Sequence, residues 1–163
     1  MEMKKERKAR VSVIVPMYNV EKYLYRSVKS LFSQDLKDIE LIFVNDCSTD
    51  KTVHTLGNLL QEYDREDITV KILSHETNQG VAVARNTAIE AVSGEYIYYV
   101  DADDYIEPDT LSTLYQTAVE NHADVVGCDW FLTFEKNERK IYQPEVKDGE
   151  EAFKKMAKGA MRW

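Results

Sequence analysis

Cysteine is scarce in this 163-residue chain: Cys47 and Cys128 are too few for a disulfide framework, and we read both as reduced thiols. Neither has a second cysteine or a histidine at metal-ligand spacing. No apolar run approaches the ~20 residues that span a bilayer. The first ten residues, Met1 to Arg10, are charged and lack the apolar stretch of a secretory signal, so a cytoplasmic location is the default expectation. A net charge of -8 argues against a general nucleic-acid binder, which shows a basic face. Signature loops of several enzyme classes are also missing. No G-x-x-x-x-G-K-[ST] marks a P-loop, no G-x-G-x-x-G follows the first strand, and no G-x-S-x-G marks a nucleophile elbow. His54, His75 and His122 are scattered, and each reads as structural rather than as a metal ligand. There is no internal repeat and no low-complexity linker.

What is present fits one globular domain with a real core, at 44% hydrophobic and 31% charged residues. Strand-like and helix-like stretches alternate. Val11 to Pro16, Ile39 to Val44, Ile68 to Leu73 and Tyr96 to Val100 read as nearly continuous apolar strands. Between them, helical spacing appears at Val20, Leu24, Val28 and Leu31, and again at Val53, Leu56, Leu60 and Tyr63. Asn19 is a candidate N-cap for the first helix, and Ser48, Thr49 or Asp50 for the second. Val81 to Val92 reads as a third helix ended near Gly94. Pro108 suits the first turn of a fourth, with Leu111, Leu114, Tyr115 and Ala118. Asp124 to Phe134 reads as a further strand region, and Glu135 to Arg139 as a charged hairpin or loop. Gly149 to Lys158 reads as a short amphipathic helix with Ala152, Phe153 and Met156 on its apolar side. The expected fold is α/β, a central, mostly parallel sheet covered by helices on both faces.

In such sheets ligands bind beyond the carboxyl ends of the strands. The segments there are Met17-Tyr18-Asn19, Asn45 to Ser48, His75 to Gly80, and Asp101-Ala102-Asp103-Asp104. In extended backbone, Asp101 and Asp103 would point to one side, with Asp104 close by. Two carboxylates ~4 Å apart repel by roughly 4 kcal/mol at an effective dielectric near 20, so a cation among them is favoured. Mg2+ or Mn2+ suits hard oxygen ligands and typically uses one or two carboxylates, waters and substrate phosphates. The competing explanation is that these aspartates complement the dipole of the helix begun at Pro108. Tyr18 can stack on a base or sit in the core. Asp46 can accept from a base N–H or cap the next helix. Arg85 can face the site or be a solvated helix arginine.

Four blocks in register now carry a family likeness. Val13-Ile14-Val15-Pro16-Met17-Tyr18-Asn19, Val44 to Asp50, Asn78-Gln79-Gly80 with Ala84-Arg85-Asn86, and Gly94 to Ile97 with Val100 to Asp104 resemble the family-2 glycosyltransferases. The likeness runs from about Val11 to Leu114. It implies the GT-A fold, which is Rossmann-like, and transfer of a sugar from a nucleotide diphosphate donor, UDP-linked, with inversion. It implies that Pro16, Tyr18 and Asp46 hold the nucleoside and that Arg85 supports the same pocket. Asp101 would meet the ribose or a metal-bound water, Asp103 would ligate Mn2+ or Mg2+, and Asp104 would stand behind it. Asn45 and Cys47 depart from the family's usual Asp and Gly, and Ala88 from a common Gly. The Asn45 change bears on base contacts, and the other two read as minor.

The family's catalytic base lies well beyond the D-x-D block, in the acceptor half. Glu150 and Glu151 read as helix-start residues, so no base is named. Residues 1–10 are expected to be a charged leader, 11–134 the nucleotide-sugar core, and 135–163 the start of the acceptor side of a longer protein, since the chain stops at Met161-Arg162-Trp163. The acceptor is expected to be a glycan or a lipid-linked precursor. Lys4, Lys5, Arg7, Lys8 and Arg10 form a solvated leader or attract anionic lipid at the inner face of the membrane. The alternative from another class is a non-catalytic nucleotide-sugar-binding module. A receiver-type signalling domain would need a lysine after a later strand, and it leaves Tyr18 and the Arg85 block unexplained.

Overall fold

The computed structural model describes residues 8–63, 65–134, 137–146 and 148–157. Lys4, Lys5 and Arg7 of the basic leader, Lys158 and the terminal Met161-Arg162-Trp163 lie outside the described residues. The elements run β1 (Val11–Met17), α1 (Leu24–Phe32), β2 (Ile39–Asn45), α2 (Thr52–Glu62), β3 (Ile68–Ser74), α3 (Val81–Glu90), β4 (Tyr96–Tyr99), α4 (Thr110–Asn121), β5 (Trp130–Thr133), β6 (Glu138–Ile141) and α5 (Gly149–Ala157). The chain divides into two compact units between Gln116 and Thr117. The first holds a four-stranded sheet in the order β3-β2-β1-β4, every pairing parallel. The second holds the antiparallel pair β5-β6 and α5.

The burial of each strand follows its place in the sheet. The central strands β1 and β2 are buried at every position, as expected where both faces are covered. The edge strands β3 and β4 are only partly buried. On one face Val13, Val15, Leu41 and Phe43 pack with Leu24, Val28, Leu31, Leu56 and Leu111. On the other, Ala84 and Ala88 of α3 pack against Ile14, Ile42 and Val44. Covering is thus uneven: Ile97 and Tyr99 of β4 are exposed, contrary to a sheet covered throughout. Ala88, fully buried there, keeps α3 close to the strands.

Other boundaries also differ from the sequence reading. Asn19 does not cap α1, whose N-cap is Tyr23. Asn19 instead takes a left-handed backbone (φ 53), and its Oδ1 accepts from the Thr49 N–H at 2.7 Å, tying the β1–α1 loop to the β2–α2 loop. Asp50 does serve the start of α2, accepting from the Thr52 N–H at 2.9 Å. Gly94 is not a helix terminator. A Cβ there would stand 2.7 Å from both the Ser12 nitrogen and its Oγ, so only glycine admits the close approach of the α3–β4 loop to β1. The expected strand over Asp124 to Phe134 shortens to Trp130–Thr133, paired antiparallel with Glu138–Ile141, so Glu138 and Arg139 of the expected charged hairpin or loop are strand, while Glu135 lies outside the described residues. The side chains of Phe153 and Met156 in α5 lie outside the described residues.

One charge sits inside the apolar pattern of β2. Glu40 is 1% exposed and accepts from Ser12 Oγ, the Ser93 N–H (3.0 Å), Ser93 Oγ (2.7 Å) and Lys71 Nζ (2.7 Å). It therefore ties β1, β2 and β3 to the turn before β4. Burial alone would raise its carboxyl; hydrogen bonds from Lys71, Ser12 and Ser93 outweigh this and hold it below the usual carboxylate range. A depressed acid contributes stability that is present above its unfolded pKa and lost as pH falls through its native value. Glu40→Ala leaves buried donors without an acceptor and is expected to lower stability by about 2–4 kcal/mol in urea unfolding. Glu40→Gln should cost less and flatten the loss of stability below pH ~4.5. An unchanged urea midpoint in Glu40→Ala would show that the network is not structural.

Candidate functional site

The site begins with a missing hydrogen bond. In the parallel β1–β4 ladder Ile14 pairs with Tyr99, and the Val100 N–H donates to the Ile14 carbonyl at 3.0 Å. The next bond would need an N–H at position 16, where proline has none. The ladder therefore ends at Val100, and the chain leaves the sheet. Asp101 to Asp104 do not continue as strand: the Asp104 N–H donates to the Asp101 carbonyl at 2.9 Å, closing a four-residue turn pinned by buried Ala102. This corrects the extended geometry expected for the acidic block. Among the described residues no three His, Cys, Asp or Glu side chains converge as a metal cage. Pro16 itself is buried in β1.

At the end of β2, Asp46 is 3% exposed. Its Oδ1 takes the Gln79 N–H at 2.8 Å and meets His75 Nδ1 at 2.7 Å, and its Oδ2 takes the Gly80 N–H at 2.7 Å. Burial by itself would raise this carboxyl; the bonds from Gln79, His75 and Gly80 lower it instead. Gly80, at φ +86, starts α3 in a conformation that L side chains rarely adopt. Asp46 therefore fixes where α3 begins. His75 Nε2 lies 2.9 Å from Thr87 Oγ1, one helical turn and more into α3, which fixes its rotation as well. The role of His75 beside Asp46 was missed in the sequence. The available signal was register: Asn45 pairs with Ser74, so the residues that follow them, Asp46 and His75, are neighbours.

From α3, Arg85 reaches the acidic turn. Its Nη2 lies 2.7 Å from Asp101 Oδ1, and its guanidinium carbon is 5.9 Å from the Tyr99 ring centre. Asp103 and Asp104 remain exposed. The Asp104 carboxyl is raised by partial burial, then by the negative charges of Asp103 and Asp101, with Arg26 opposing. Tyr18 stands at the carboxyl end of β1, 48% exposed. The structure thus brings Asp46, Arg85 and Asp101 into one connected set through α3. Asn45 Oδ1 accepts from the Ser48 N–H at 3.0 Å, a bond that an aspartate there would also accept. Cys47 is in left-handed backbone (φ 59), which costs about 1 kcal/mol where glycine is nearly free. The exchange of Gly for Cys is therefore not minor for the backbone.

A divalent cation fits these residues. The turn carries three carboxylates in four positions, only Asp101 is paired with an arginine, and the charges of Asp101 and Asp103 raise Asp104. Two exposed carboxylates match an ion that completes its shell with phosphate oxygens and water. They do not make a dedicated protein cage.

Comparison with known proteins agrees with this geometry. The model of glycosyl transferase family 2 matches residues 12–162. The uncharacterized glycosyltransferase EpsJ of Bacillus subtilis is 39% identical over 82% of this chain and 37% of its own length. Glycosyltransferase GlyA of Streptococcus pneumoniae is 38% identical over 82% of this chain and 18% of its own length. The chain thus spans well under half of either relative. The crystal structure of Staphylococcus aureus TarS 1-349 with UDP superposes with TM-score 0.61 at 38% identity, over 69% of this chain and 33% of that one. The mannosyltransferase PcManGT of Pyrobaculum calidifontis, with GDP-Man and Mn2+, gives TM-score 0.62 at 27% identity over the same shares. The strand order, the acidic turn and these matches have one conclusion: the chain belongs to glycosyl transferase family 2 and has the GT-A fold.

Proposed function

We propose that residues 11–134 bind a nucleotide diphosphate sugar, UDP-linked, for inverting transfer to a glycan or lipid-linked acceptor. Residues 135–163 would begin the acceptor side. The observation that carries this reading is the Arg85–Asp101 contact, which joins the loops after β2, β3 and β4 into one site through α3. The ligands in the solved structures of relatives support it: UDP and UDP-GlcNAc with TarS, GDP-Man and Mn2+ with PcManGT. The greater identity to TarS, 38% against 27%, supports uridine over guanosine.

Each residue has a task that its surroundings suit. Tyr18 offers an exposed ring for a base to stack on. Asp46 holds the α3 start, and the remaining lone pair on Oδ2 is what a uracil N–H would meet. Pro16 acts by ending the β4 ladder. Arg85 holds Asp101 toward the ribose. Asp103 would hold Mg2+ or Mn2+, with Asp104 behind it, and the ion would supply positive charge against the departing diphosphate. Glu150 and Glu151 pair with Lys154 and Lys155 in the first turns of α5, which suits a helix start rather than a general base. The basic leader suits weak attraction to anionic lipid at the cytoplasmic face. No described helix is long and apolar enough to cross a membrane.

Two outcomes follow. UDP should bind more tightly than ADP in calorimetry, and Tyr18→Ala should weaken UDP by the roughly 1–3 kcal/mol of one base stack while leaving the thermal midpoint in place. Equal binding of the two diphosphates by wild type contradicts the uridine assignment. UDP binding should also need Mn2+, and Asp103→Ala should remove this metal-dependent binding. In a full-length enzyme Asp103→Ala should lower turnover by on the order of 10²-fold, with Asp104→Ala costing less. If chelator leaves wild-type UDP affinity unchanged, the acidic turn complements a helix dipole and holds no metal.

A further inference from the structure

Helix α1 carries polar side chains that point at the segment after the acidic turn. Arg26 and Ser30 are four residues apart on one face, and Gln34 follows four later, just past the helix end. Arg26 Nη2 donates to the Asp103 carbonyl at 3.3 Å, and its guanidinium carbon lies 4.3 Å from the Tyr105 ring centre. Ser30 Oγ accepts from the Ile106 N–H at 3.3 Å. Buried Gln34 donates from Nε2 to the Glu107 carbonyl at 2.7 Å and accepts the Leu111 N–H at 3.0 Å. One helix face thus grips the chain from Asp103 to Leu111.

The Arg26 bond has an instructive partner. An arginine beside three aspartates is expected to pair with a carboxylate, where it would compete with a cation. Here it takes the main-chain carbonyl of Asp103 and stacks on Tyr105 instead. The carboxylates of Asp103 and Asp104 stay exposed, while the backbone that carries them is held. Ser30 and Gln34 hold the segment beyond, so Arg26 is the contact closest to the carboxylates themselves.

We propose that Arg26 is a positioning residue of the acidic turn: held between the Asp103 carbonyl and the Tyr105 ring, it fixes the spacing at which Asp103 and Asp104 meet a metal-bound donor diphosphate. This rests on the donor-site reading above. The proposal has a sign that simple electrostatics does not share. Removing a positive charge near three aspartates should by Coulomb's law strengthen cation binding. Removing a positioning residue should weaken it.

The test uses the whole chain with Arg26→Met, which keeps length and apolar bulk, and Arg26→Lys, which keeps charge but not the planar fork. Hydrogen exchange over residues 101–106 and UDP titration in Mn2+ are both measured. The proposal predicts faster exchange over 101–106 in Arg26→Met, an unchanged rate in β1 and β2, and UDP affinity in Mn2+ lower by about ten-fold. Arg26→Lys should recover only part of it. Exchange unchanged over 101–106, or UDP binding equal to or tighter than wild type in Arg26→Met, overturns the proposal. Failure of the underlying reading looks different: wild type itself would bind UDP equally with Mn2+ and with chelator, and the exchange rates alone would then decide whether Arg26 holds the turn.

Discussion

The Asp46 carboxylate is the contact on which the site depends. It is nearly fully buried at the end of β2, yet it stays ionised because two backbone N–H groups and a histidine face it. Those N–H groups belong to Gln79 and Gly80, the last residues before α3. The bond therefore converts a position in the sheet into a position for a helix. His75 adds the rotation of that helix through Thr87, and the rotation brings Arg85 to Asp101. A buried carboxylate thus acts as the frame that sets α3 against the sheet.

The acidic turn owes its place to a different constraint. β1 is a central strand, where proline is normally excluded, and Pro16 takes from its β4 side the N–H that the next ladder bond would need. The same absence makes β4 short and releases Asp101 to Asp104 beyond the sheet. Three negative charges then sit in one tight turn, with Arg85 offsetting one from α3 and Arg26 holding the backbone from α1. On the proposed reading, such a turn would repel a bare diphosphate and accept one that arrives with a divalent cation, which reverses the local sign.

Much of this was legible in the sequence, for physical reasons. The central strands are buried on both faces, so their apolar runs are continuous and easily read, and the parallel sheet follows from the alternation with helices. The residues just after each strand could be named because strand ends are where such sheets bind. What escaped were features set by pairing across the sheet. Glu40 hides inside an apolar strand because Ser12, Lys71 and Ser93, distant in sequence, satisfy it. His75 looked isolated until register placed it beside Asp46. The turn at Asp101 was read as extended because proline at position 16 acts on a strand 84 residues away in the chain, counting to Val100. Asn19 looked like a cap because its type suits one, whereas its side chain spans to Thr49.

The central claim is that the acidic turn and the loops after β1 and β2 form one site for a metal-bound nucleotide diphosphate. Its most direct test is anomalous diffraction from crystals grown with UDP and Mn2+. The account predicts one strong manganese peak within ~2.5 Å of an Asp103 carboxylate oxygen, with the uracil against Tyr18. Manganese absent from that turn while UDP is bound, or UDP seated away from Tyr18 and Asp46, would contradict it.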